Sequence, residues 1–550
     1  MTPALALASA PVCATACRAF FSRVRKENRY PPASPPANLL PELPAELWII
    51  ILEYSTYPCS SSLSYSSEPP PPSLELPSSF LSSALTPASL APRLAYHRQM
   101  MRHKRNLALV SKKWHGYAQP VLYSFVWIAR AAQAKALALT LLCQACCLSP
   151  DSAPATCSSA GRFIRRLHIE TPALERCHPA DLRTILDYAP GLEVYSDYRS
   201  VRRVSAAAGA TELFAALAAG GALRRLSWTS YDDPALVGLG LGLGMRGGHM
   251  GGRLEYLELN FVSSALAPGV KAECPQLSGS CGGGGGLVLP ELRTLKVTLD
   301  NATFAVLSTW ALPALRNLSV MSADFSYASA GFRRFFAVHG AALRQLELGH
   351  SSAHIEEHYL TAPPPVAGGV GAAGGGMSLA AWCPHLEEFV CSADAEWNWQ
   401  HPDWIAPHLL LPAHPTVSLI GIRGIDARIL HDAADSDGAD GGVDNAFFGL
   451  REQVESLLRR EAFPRLRYVR DLSEGSDRMR RGLGFDLGGG EGRGTSTHAR
   501  ARVMRFWEGV LGRCRDEGVW LEDWQGWNVT SGSLRRARVA LQTQTQAAWA

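Results

Sequence analysis

No apolar run in this 550-residue chain approaches the roughly 20 residues that a membrane-spanning helix requires, so a transmembrane reading is set aside. An excess of one charge is also missing. Lys and Arg number 53 against 49 Asp and Glu, scattered along the chain for a formal net charge of +4. A nucleic-acid-binding surface would need its basic residues concentrated, so nucleic acid is not expected as a partner. The 13 cysteines are odd in number and irregularly spaced, which argues against a disulfide framework and fits a reducing compartment, cytosol or nucleus. No Ser/His/Asp, Cys/His or paired-carboxylate arrangement is brought together by the pattern of elements. Neither catalysis nor a cofactor is expected.

Several stretches imitate chemistry without the context that chemistry needs. His354-Ile-Glu-Glu357-His358 has the spacing of a zinc-protease helix, but it follows a strand directly and runs into Pro363 to Pro365, leaving no room for that helix. Gly242-x-Gly244-x-x-Gly247 has dinucleotide-fingerprint spacing with no helix after it to present phosphate-binding N–H groups. Cys143, Cys146 and Cys147 lack a second matching pair, and Asp435, Asp437 and Asp440 lack the calcium-loop interval and its closing Glu. Asn301, Asn317 and Asn528 head glycosylation sequons, which are incidental in a reducing compartment.

What is present starts at Leu39 to Tyr57. Pro41 and Pro44 favour extended or first-turn backbone, and Glu42 and Glu46 suit a helix N-terminus, so a helix is predicted from about Ala45. Leu47, Ile50, Ile51 and Tyr54 fall at i, i+3, i+4 and i+7, while Leu43, Trp48 and Leu52 widen the apolar surface beyond one stripe. So short a helix cannot hide that much alone.

The sequence Leu43-Pro44-x-Glu46-Leu47 followed by Ile50, Ile51 and Leu52 resembles the opening of an F-box. Its second half, Leu109-Val110-Ser111-Lys112-Lys113-Trp114, continues through Tyr117 to Pro120 and Tyr123. Residues 58–92, rich in Ser and Pro and lacking apolar periodicity, separate the halves and read as a mobile, solvated loop. Such an interruption resembles that of many fungal F-box proteins. From Arg93 to Arg105 a basic helical segment leads back into the module. The resemblance implies docking onto the Skp adaptor of a cullin-RING ubiquitin ligase. Leu43, Pro44, Glu46, Leu47, Ile50, Ile51, Val110 and Trp114 would carry that docking, some by contact and others by holding the helices together.

Downstream, a β-prone stretch from Leu122 to Ile128 and an Ala/Leu-rich helix from Ala131 to Leu148 form one β-then-α unit. The frame L-x-x-L-x-φ, with φ apolar, then recurs from Ile164, Leu223, Leu254, Leu292, Leu315 and Leu343, in weaker form from Leu386 and Val417, and degraded from Leu192 and Leu466. Amphipathic segments lie between frames: Leu182 to Tyr188, Leu213 to Leu217, Phe304 to Leu307 and Phe332 to Val338. Val503 to Leu511 has helical spacing, and Val519 to Trp524 is placed to close the array as a last strand. The array resembles the leucine-rich repeats of F-box proteins, whose parallel strands line a concave face, although the usual Asn ladder and strict repeat length are absent. About ten strands are expected.

The fold class expected is therefore α/β: a small N-terminal helical F-box-like module followed by an irregular leucine-rich-repeat β/α solenoid. Residues 1–38 read as a disordered leader, 39–123 as the interrupted module, 124–528 as the solenoid with Gly-rich loop insertions, and 529–550 as a disordered tail. The function this implies is substrate recognition for a Skp-cullin-F-box type ubiquitin ligase, with an unknown protein substrate on the repeats. The alternative is a repeat scaffold unconnected with a ligase, its N-terminal segment serving as a cap.

Overall fold

A computed structural model of the chain describes residues 43–56, 80–81, 90–146, 160–197, 200–201, 213–217, 221–230, 252–261, 287–298, 304–322, 330–350, 379–393, 413–435, 447–481 and 497–539, apart from a few positions within them. The leader, most of the 58–92 insertion, His354 and His358, Gly242 to Gly247, the other Gly-rich stretches, Cys147, Asp437, Asp440, Asn301 and the end of the tail lie outside the described residues. The chain divides into two compact units, Met1–Pro72 with Leu90–Leu254, and Ser73–Ser89 with Glu255–Ala550.

The first unit opens with three helices, α1 (Ala45–Thr56), α2 (Leu90–Ala108) and α3 (Lys112–Tyr123). The Pro44 carbonyl accepts from the Leu47 and Trp48 amides at 3.1 and 3.2 Å, so α1 starts where the proline places it. Ser111 caps α3: its backbone is extended, and its hydroxyl accepts from the Trp114 amide at 3.1 Å. Helix α3 continues through Leu122 and Tyr123, so strand β1 (Phe125–Ile128) begins later than the β-prone pattern suggests. The Ser124 amide still finds the Pro120 carbonyl at 2.9 Å, which carries the last helical turn over that stretch.

After β1 come α4 (Ala131–Cys146), β2 (Arg166–Ile169), α5 (Pro179–Asp187), β3 (Val194–Asp197) and β4 (Arg225–Ser230). These strands lie side by side in chain order, all parallel, with Leu167 opposite Tyr195 and Tyr195 opposite Leu226. Ala134, Ala138 and Leu141 turn one face of α4 inward at helical spacing.

The second unit contains β5 (Tyr256–Phe261), β6 (Thr294–Thr298), β7 (Asn317–Ser322), α6 (Ala330–His339), β8 (Gln345–His350), α7 (Leu379–Trp382), β9 (Glu388–Ser392), β10 (Leu419–Arg423), α8 (Ile425–Asp435), α9 (Phe448–Leu457), β11 (Tyr468–Asp471), α10 (Glu474–Arg480), α11 (Thr497–Asp516) and β12 (Trp520–Glu522). Its strands are again parallel and in chain order. Every repeat frame becomes a strand starting two residues after the frame's first position, including the degraded frames at Leu192 and Leu466. The described strands number twelve across the two units.

The register explains why the frame specifies this sheet. Its fourth position forms an unbroken row, Leu257, Leu295, Leu318, Leu346, Phe389, Ile420 and Val469, continued by Leu521 of β12, each opposite the next. All are buried. A one-residue slip would turn this row to the other face, so the hydrophobic pattern itself fixes the register. The helical layer is contiguous too: Phe304 meets Phe335 at 5.6 Å, and Phe336 stacks on Trp382 at 6.1 Å between ring centroids.

Two expectations need correction. Phe80 and Leu81, inside the supposedly solvated insertion, form a turn that is buried in the second unit, because its polar face offers hydrogen bonds and an apolar seat. The tail is also ordered past 529. Its Thr530 and Ser533 bond reciprocally at the start of a helical stretch, 531–536, and Leu534 is buried. A single buried leucine among arginines gives too weak a periodicity to mark that turn in the sequence.

Candidate functional site

The helical module brings its two sequence halves into one core. Leu52, Ala108, Ala118 and Val121 form a buried cluster, with Ile49, Leu107, Trp114 and Tyr117 packed against it. Trp48 and Trp114 meet across α1 and α3 at 5.6 Å between ring centroids, tilted by 47°. Lys104 reaches into this region to donate to the Val121 carbonyl at 2.9 Å, and burial lowers its pKa to about 8 against the opposing pull of Glu53.

The wide apolar surface of α1 thus divides into two faces with different fates. Trp48 and Leu52 are buried, whereas Leu47, Ile50, Ile51 and Tyr54 are 45, 46, 43 and 75% exposed. At the turn between α2 and α3, Leu109 and Val110 are 73 and 61% exposed. Pro44 and Glu46 are exposed and Leu43 is half-buried at the start of α1. Trp114 is half-buried against Trp48 and positions α3, so its part in the module is to join the helices. Leu109 and Tyr54 stand among the exposed side chains beyond the eight residues picked from the motif. Both were legible: Tyr54 completes the i+7 position and Leu109 opens the second motif.

The second unit presents another arrangement, on the polar face of its sheet. The side chains between the buried rows are mostly polar, with Val390, Leu419 and Tyr468 forming an apolar patch among them. Lys296 pairs with Glu258 at 3.1 Å, Ser319 donates to Glu347 at 2.6 Å, and Arg470 pairs with Glu522 at 2.6 Å. Arg423 pairs with Glu347, while Gln345 donates to Glu388 at 2.5 Å. Burial pushes the Glu388 carboxyl upward, opposed by the bond from Gln345 and the charge of Arg470.

On this scaffold sits Phe80–Leu81. The Phe80 amide donates to Gln345 Oε1 at 3.0 Å, and the Phe80 carbonyl accepts from the Arg423 guanidinium. The two side chains pack in a cluster with Val390, Leu419 and Leu472, flanked by Tyr468. Gly421 provides the space: a Cβ there would lie 2.9 Å from Leu472 Cδ1 and 3.1 Å from Leu81 Cδ2. The sequence signal for this seat is faint, a glycine at the inter-row position of a frame, followed by an arginine after its end.

Among the described residues, no cluster of three or more His, Cys, Asp or Glu side chains is disposed to hold a metal ion. Cys143 is half-buried, whereas Cys177, Cys383, Cys391 and Cys514 are buried; burial pushes Cys177, Cys383 and Cys514 up to about 12, away from thiolate chemistry. No described helix is long and apolar enough to cross a membrane. No protein-family model matches the chain, and no curated protein matches it.

Proposed function

We propose that this chain is a substrate-recognition subunit of a Skp-cullin-F-box type ubiquitin ligase: the helical module docks on the Skp adaptor, and the repeat array binds the protein to be ubiquitinated. The mechanism is proximity, with the ligase supplying the transfer chemistry. The observation that carries the reading is the division of α1. Trp48 and Leu52 are buried on the side that meets the second motif half, while the i, i+3, i+4, i+7 stripe of Leu47, Ile50, Ile51 and Tyr54 is left outward. A helix serving only as a cap has no use for four large apolar side chains in water, whereas a docking helix requires them.

The repeats suit the second task because the aliphatic row holds the sheet together independently of the side chains on its other face, so those can differ without loss of the array. Co-expression of the full chain with the Skp adaptor tests the docking. Co-purification of wild type, lost in Leu47→Asp/Ile51→Asp, is the expected result; a repeat scaffold outside any ligase would leave the adaptor behind in both cases.

A further inference from the structure

We propose that the polar face of the second unit carries a binding site for a Phe-Leu dipeptide in a partner protein, and that the chain's own Phe80–Leu81 occupies that site as an internal competitor. The inference rests on the repeat array being the recognition surface and does not depend on adaptor docking.

The site has the features of a receptor and not merely of a packing contact. Gln345 and Arg423 grip the amide and carbonyl of one residue, so they read main chain that any peptide possesses. Both are held by groups of the sheet itself, Gln345 by its bond to Glu388 and Arg423 by its pair with Glu347, and are therefore pre-organised. Selectivity comes from the side chains: Val390, Leu419 and Leu472 accept an aromatic followed by an aliphatic residue, and the missing Cβ of Gly421 admits the second.

The occupant is not part of the sheet it sits on. Phe80 lies 265 and 343 positions from the residues that clamp it, and the neighbouring strands β8, β9, β10 and β11 pair with one another without it. A tethered segment of this kind competes at an effective concentration in the millimolar range, which weakens any external peptide of similar intrinsic affinity. A partner must therefore bring a better-fitting segment or additional contacts to displace it.

Fluorescence anisotropy with a labelled peptide spanning residues 76–84, LPSSFLSSA, tests the proposal on the full chain. The Phe80→Ala/Leu81→Ala variant should bind this peptide at least about tenfold more tightly than wild type. Adding Arg423→Ala to that variant should weaken binding by about tenfold or more, and a peptide with Ala at both apolar positions should not bind. Equal affinity of wild type and the double variant, or no loss on removing Arg423, overturns the proposal.

A second measurement needs no variant. Saturating wild type with the peptide should accelerate hydrogen exchange at the Phe80 amide, and unchanged exchange under saturation overturns displacement. Adaptor capture by the same preparations separates the two readings, because loss of peptide binding with adaptor capture intact refutes only the site.

Discussion

Trp48 and Trp114 pack ring against ring, 5.6 Å between centroids, although one belongs to each half of the interrupted motif. The contact makes the halves one folding unit, so a change in either should weaken both. Trp114→Ala should destabilise the module by about 3 kcal/mol, at the lower end for a large aromatic because the side chain is half-buried. Urea unfolding followed by tryptophan fluorescence measures it, and a change below about 0.5 kcal/mol would mean that the halves fold independently.

His97 gives the module an acid sensitivity. It is buried against Phe125 and Trp127, with ring-centroid distances of 5.2 and 5.3 Å, and its pKa is lowered to about 4, first by burial and then by Lys104, His168 and Arg98. The folded value lies below the unfolded value of about 6.5, so between these limits the unfolded chain binds more protons and stability falls as pH falls. Between pH 7 and pH 5 this group alone should remove about 2 kcal/mol. His97→Phe should show a correspondingly smaller loss in urea titrations at the two pH values, and an unchanged acid slope would refute the assignment.

In the second unit, Arg480 is 3% exposed, pairs with Asp471 and lies with its guanidinium 4.4 Å from the Trp507 ring centroid. Burial pushes the Asp471 carboxyl upward while Arg480 and the Ser473 amide hold it down. Arg480→Ala should cost about 3–5 kcal/mol by stranding a buried carboxylate, and Arg480→Ala/Asp471→Leu should recover most of it. Thermal melts of the three proteins check this, and a double variant no more stable than Arg480→Ala would show that the pair is not the source.

The repeat architecture was legible because the frame is periodic and each strand must bury the same positions. Even the degraded frames kept their first and fourth positions, Leu192 and Tyr195, Leu466 and Val469. What degraded was the sixth, where Asp197 and Asp471 replace an aliphatic residue and are buried nonetheless. The Asp471 carboxylate is held by Arg480 on α10, outside the frame, and the frame does not announce such a pairing. Phe80–Leu81 was hidden for the same reason: two apolar residues in a Ser/Pro-rich stretch have no period, and their seat is made hundreds of positions away. In the helical module the sequence marked the apolar side chains of α1 but not their division, because the 3.6-residue period identifies a stripe without saying which side meets the core.

Titration of purified Skp adaptor against the purified full chain tests the proposed docking most directly. Leu47 and Ile51 are 45 and 43% exposed, so Leu47→Asp/Ile51→Asp should leave the melting temperature nearly unchanged. We predict saturable binding to wild type and at least about a tenfold loss of affinity in the variant, equivalent to about 1.4 kcal/mol or more. Absence of binding to folded wild type, or equal affinity of the two proteins, would contradict the account.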